Sequence, residues 1–194
     1  MNNQIKALLR LTVQDPRAAA AGLLVDEHAR ANAIKLAILV VIFGVFASYI
    51  NAQIAPENFE GLFATTLLSN PFLLTIIQFV TLMISVIAIH VIGRMFGGRG
   101  GFDQAILISA WLQFFTLMVQ IALIPVAIIA PTVAGLLSGL SYVYFVWLMV
   151  NFIAELHGFR SLWKVLGGIV GASFAASFII LMFLGLFGVE FGGV

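Results

Sequence analysis

QAILISAWLQFFTLMVQIALIPVAIIAPTVAGLLSGLSYVYFVWLMVNFIA, residues 104–154, contains no Asp, Glu, Lys or Arg. As one helix this stretch would extend to ~75 Å at ~1.5 Å per residue, more than twice the ~30 Å of hydrocarbon in a bilayer. It therefore reads as two membrane spans. Pro131 and Thr132 mark the turn between them, and Pro125 predicts a kink near the end of the first.

The other charge-free gaps extend the pattern. Lys35 to Glu57 holds one span, and Lys164 to Glu190 holds another. Between Glu60 and Arg94, Pro71 opens a hydrophobic run from Phe72 to Ile92, proline being well tolerated in the first turn of a helix. The predicted fold is an all-α membrane helix bundle with five transmembrane helices at about 34–54, 72–93, 104–129, 132–154 and 164–187. A helical segment, 1–33, precedes the bundle, and a short tail, 189–194, follows it.

Composition agrees. Of 194 residues, 62% are hydrophobic and 9% charged, and the mean hydropathy is +1.15, whereas soluble domains carry roughly 25% charged residues. A net charge of +1 excludes recruitment of nucleic acid by bulk charge. The absence of cysteine excludes disulfides, iron–sulfur clusters and thiolate zinc sites. The length is too short for a membrane domain plus a separate catalytic domain.

The basic residues set the predicted topology. Lys6, Arg10, Arg17, Arg30 and Lys35 precede the first span, Arg94 and Arg99 lie between the second and third, and Arg160 and Lys164 lie between the fourth and fifth. The opposite loops and the tail carry only Glu57, Glu60 and Glu190. By the positive-inside rule the N-terminus is cytoplasmic and the C-terminus outside, in the cell inner (plasma) membrane. This bias argues against a dual-topology half-transporter.

The N-terminal residues do not read as a signal peptide, because Asp15, Asp26 and Glu27 interrupt any apolar core. Ile5, Leu8, Leu9 and Thr12 recur at helical spacing, and Asp15 before Pro16 is an N-cap signature for a second short helix. Two placements suit such a segment equally: on the inner leaflet, or packed across the ends of the spans.

Small residues predict where helices approach closely. Gly167, Gly171 and Ala175 form one row on the last span beside Gly168, Ala172 and Ala176, and Gly135 and Gly139 form a shorter row on the fourth. Packing within one monomer is the favoured expectation, with a dimer interface or sliding contact as the alternative. Gln78, Gln113, Gln120 and Asn151 are expected to be buried interhelical hydrogen-bond partners. Trp111, Trp147, Trp163, Tyr142 and Tyr144 include candidate interface anchors.

The ionisable residues nearest the bilayer gather at the basic ends of the spans. They are His90, Arg94, Arg99, Asp103, Glu155, His157, Arg160 and Lys164. One expectation is that Asp103 and Glu155 pair with Arg94, Arg99 or Arg160 and close this face by salt bridges. The alternative is a cationic site for phospholipid headgroups or an acidic partner. His90, Glu155 and His157 lack metal-site spacing, and no metal or cofactor is expected. The GGRGG loop, Gly97 to Gly101, lacks the Gly-Lys-Ser/Thr ending of a phosphate loop and suits a tight reversal.

At HVIGRMFGGRGGFDQAILISAWLQF, His90 to Phe114, and at FIAELHGFRSLWKVLGG, Phe152 to Gly168, the chain resembles the Yip (Ypt-interacting protein) domain family in its bacterial branch. LTVQDPRAAAAGLL, Leu11 to Leu24, is similar to the opening of those members. The resemblance implies a cytoplasmic N-terminus, five membrane helices and an outward C-terminus. Eukaryotic members are linked to vesicle trafficking and bind Rab-type GTPases through longer N-terminal regions. Those motifs are missing from residues 1–33, so GTPase binding is not carried over.

The function expected from these readings is a non-enzymatic organiser of membrane lipid or partner proteins. Arg94, Arg99, Arg160 and Lys164 would bind, and His90, Asp103, Glu155 and His157 would support them. Anionic lipids, a membrane-protein partner or a second copy are the expected partners. A small-solute transporter or lipid-moving protein is the alternative, opposed by the lack of mid-membrane acidic residues and of a detectable inverted repeat.

Overall fold

The computed structural model describes residues 2–54 and 67–186, with side chains described except at 2–4, 175–177 and 179–186. Among these residues the chain forms helices and no strand. Three short helices come first: α1 (Asn2–Gln14), α2 (Pro16–Val25) and α3 (Glu27–Ala31). Five long ones follow: α4 (Ala33–Ile54), α5 (Pro71–Met95), α6 (Phe102–Ile129), α7 (Pro131–His157) and α8 (Leu162–Leu186). Four of these, α4 to α7, are long and apolar enough to cross a membrane. The predicted acidic loop and tail, with Glu57, Glu60 and Glu190, lie outside the described residues.

Local chemistry sets the boundaries. Asp15 accepts from the Ala18 amide at 3.1 Å with Pro16 at the first helical position, as its spacing predicts. Asn70 caps α5 in the same way, accepting from the Leu73 amide ahead of Pro71. Ala130 alone separates α6 from α7, because Pro131 cannot continue a hydrogen-bonded helix but readily begins one. Pro125 lies inside α6, which runs on through it to Ile129.

Helix α6 is the axis of the bundle, packed against α4, α5 and α7 and touched by α2 and α3. Its residues Ala105 to Ala110 are all buried, so at this end every side of the helix is covered by protein. Val41 of α4, Val86 of α5, Leu107 and Ile108 of α6, and Leu148 and Phe152 of α7 form the main core. Val150, Ile153 and Ala154 form a second cluster with Val165 of α8. The opposite half of α7 is open: Val133, Leu136, Leu140, Tyr142 and Val143 are all exposed.

The N-terminal segment belongs to the bundle. Ala19 and Ala20 of α2 are completely buried and Leu23 nearly so, their small side chains letting α2 lie close against α7. Of the two placements expected for this segment, α2 takes the one packed on the spans.

The glycine rows correct an expectation. Among the described residues, a Cβ built on Gly135, Gly139, Gly167, Gly168 or Gly171 meets nothing within 4 Å, so these five glycines are not points of close helix approach there. The side chain of Ala175 lies outside the described ones. Of the amides, Gln78 bridges helices by donating to Ser48 Oγ at 3.2 Å. Asn151 is buried but donates within its own helix to the Trp147 carbonyl, and Gln113 and Gln120 are exposed.

Candidate functional site at the basic end of the bundle

The C-termini of α5 and α7 meet the loop 96–101 around one side chain. His157, 3% exposed, ends α7. Its Nε2 lies 3.1 Å from the Ile89 carbonyl, and its Nδ1 lies 3.3 Å from the Gly100 amide. An amide N–H can only donate, so Nδ1 is the acceptor and the ring proton sits on Nε2, directed at Ile89. The ring is neutral and both its nitrogens are satisfied. The His157 carbonyl also accepts from the Arg99 amide, and the ring stacks on Phe159.

Glycine makes this lodging possible. A Cβ on Gly93 or Gly98 would fall inside contact distance of the His157 ring, and one on Gly100 would stand 2.7 Å from Leu156 Cγ. Gly97, with φ of 84°, takes the left-handed conformation that turns the chain after α5. Gly158, with φ of 71°, does the same after α7, while the Phe159 amide donates to the Ala154 carbonyl. The GGRGG and ELHGF stretches are thus the two halves of one interlock.

The same end of the bundle carries four cations at the protein surface. Arg94 ends α5, Arg99 stands in the loop it supports, and Arg160 and Lys164 flank the entry to α8. All four are exposed, and their side chains have no hydrogen-bond or ion-pair partner among the described residues. Met95, Phe96, Phe102 and Trp163 are exposed among them.

The expected salt bridges do not form. Asp103 is taken by Arg30, whose Nη2 and Nε stand 2.8 and 2.9 Å from Oδ2, and Glu155 has no ion-pair partner among the described residues. Helix α3 lies against α6 and brings Arg30 onto Asp103. His90 makes an edge contact with Phe102 while its Nδ1 is buried without a partner. Asp103 and Glu155 therefore do not hold the four cations; the glycine–His157 interlock positions the backbone of Arg99.

Three contacts tie the N-terminal segment to this end. Arg17 Nη2 donates to the Phe159 carbonyl at 2.8 Å, Trp111 Nε1 donates to Thr12 Oγ1 at 3.1 Å, and the Tyr144 hydroxyl donates to the Val13 carbonyl at 2.9 Å. In the sequence Trp111 and Tyr144 read as candidate interface anchors, and their partners in α1 were not legible. The one available signal was Thr12, a polar residue on an otherwise apolar stripe.

Among the described residues no group of three or more His, Asp and Glu is placed to hold a metal ion. The groove described between α4 and α5, about 160 Å³, is lined by apolar side chains with Tyr49 and Thr75 and has no charged residue. No curated protein and no solved structure matches the chain. The model of the Yip1 domain does match, over residues 11–188, which include α2, the cationic loops and all five long helices. The chain is thus a multi-pass membrane protein of the Yip1 domain family.

Proposed function

We propose that the protein is a non-enzymatic organiser of the membrane it sits in, gathering anionic phospholipid around its basic end. The observation that carries this reading is the exposure of Arg94, Arg99, Arg160 and Lys164 without acidic partners at the helix ends and loops of one end of the bundle, where His157 braces the loop that carries Arg99. Basic groups at helix ends suit phosphate, and exposed aromatic and aliphatic side chains beside them suit the headgroup layer. The Yip1 family is not a known enzyme family.

In this reading α8 is a fifth crossing, since its 25 residues carry one charge, Lys164, at the basic end. The N-terminus is cytoplasmic, the C-terminus outside, and the membrane is the cell's inner one. The distribution of the nine basic residues supports that orientation.

Replacing both Arg99 and Arg160 by Gln tests the site. The expected result is weaker retention of anionic lipid with insertion and melting unchanged. Undiminished retention in that double variant counts against it.

A further inference from the structure

The lengths of α6 and α7 and the position of α1 together locate a second lipid-facing surface. With 28 and 27 residues, α6 and α7 extend to about 42 and 40 Å, roughly 10 Å more than the hydrocarbon layer. The surplus has a natural place. At the basic end, residues 105–110 of α6 are wholly covered by protein, whereas at the other end α7 is bare. Trp111 and Tyr144, the residues that hold the end of α1, stand nine residues inside the start of α6 and thirteen inside the end of α7. At ~1.5 Å per residue these offsets are about 14 and 20 Å. Arg17, at the start of α2, donates to the Phe159 carbonyl in the loop after α7, so the α1–α2 corner stays within one arginine side chain of the loops. Asp15, exposed beside it, requires water or headgroups at that level. The corner is therefore placed at the headgroup level, beside the cationic end of the bundle.

At that boundary α1 presents two apolar flanks. Leu8, Leu11 and the fully buried Thr12 turn toward the bundle. Ile5, Leu9 and Val13, four residues apart, form a second stripe, on which Ile5 is 43% and Val13 51% exposed. Lys6 and Arg10 are exposed on the adjoining arc, with no side-chain partner among the described residues. An apolar stripe bordered by two cations, at the basic end of the bundle, complements an anionic lipid surface and not water.

We propose that α1 is an in-plane helix of the leaflet at the basic end. Its Ile5–Leu9–Val13 stripe enters the acyl region, and Lys6 and Arg10 meet the phosphates of anionic phospholipids. This surface is separate from the four loop cations, and the two stand or fall independently.

The chain has no cysteine, so single cysteines can be introduced cleanly into the full-length protein. Nitroxide labels at Ile5→Cys and Val13→Cys probe α1, with Phe174→Cys on exposed α8 as the lipid reference and Glu27→Cys as the water reference. All four positions are exposed. In vesicles of phosphatidylcholine with a minority of phosphatidylglycerol, labels at 5 and 13 are expected to be relaxed by oxygen and shielded from a water-soluble nickel chelate, as at 174. Adding Lys6→Gln and Arg10→Gln should raise nickel access at 13 several-fold. Labels at 5 and 13 that follow the Glu27 position overturn the in-plane helix. Shielding at 13 that survives loss of both cations overturns the anionic partner.

Discussion

Ile89 and His157, on neighbouring helices, are joined by a hydrogen bond in which the imidazole Nε2 donates to the backbone carbonyl at 3.1 Å. The opposite ring nitrogen accepts from Gly100, so one side chain links α5, α7 and the loop between α5 and α6. Ring nitrogen shifts in an NMR spectrum of the selectively labelled protein should show the Nε2-protonated tautomer at His157. The Nδ1-protonated form would contradict the bond to Gly100.

The glycines divide into two classes that behave oppositely on substitution. Gly93→Ala and Gly98→Ala push a methyl into the His157 ring, and each should cost about 1–3 kcal/mol by overpacking. Gly135→Ala and Gly167→Ala enter open space and should be neutral or stabilising by up to ~1 kcal/mol, the helix-propensity gain of Ala over Gly. Thermal melting of the four variants in one detergent checks the contrast. Equal melting of Gly93→Ala and Gly135→Ala would refute the interlock.

The Arg30–Asp103 pair is partly exposed, with side chains 36% and 49% accessible. A double-mutant cycle with Gln and Asn should return a coupling of only about 0.2–1 kcal/mol. Its structural effect is positional. Exchanging the charges, Arg30→Asp with Asp103→Arg, should restore protection of the α3 segment from protease that Asp103→Arg alone loses.

Thr12 is fully buried, and its hydroxyl accepts from Trp111 while donating to the Leu8 carbonyl. Thr12→Val strands the indole N–H, at a cost of about 1–3 kcal/mol. Trp111→Phe removes the donor, so the double variant should be less destabilised than the sum of the singles. Strict additivity of the melting shifts would remove this contact from the account.

Much of the architecture was legible because it is local. The charge-free gaps located the long helices, and the Asp15-Pro16, Pro71 and Pro131 signals marked three helix starts. The site was legible only in composition. Arg94, Arg99, Arg160 and Lys164 do collect at one end, yet the partner of Asp103 comes from 73 residues away, and no local pattern distinguishes Arg30 from the nearer arginines. His157 looked like one member of a polar rim. Its burial depends on three glycines from another part of the chain, a shape complementarity that spacing does not encode.

Native mass spectrometry of the protein extracted together with its surrounding membrane reads which lipids the basic end holds. Phosphatidylglycerol or another anionic phospholipid should be retained through detergent-free transfer by the wild-type chain, and lost when Arg94, Arg99, Arg160 and Lys164 are all replaced by Gln. Retention of zwitterionic lipid alone, or equal retention by both proteins, would contradict anionic-lipid binding at the basic end.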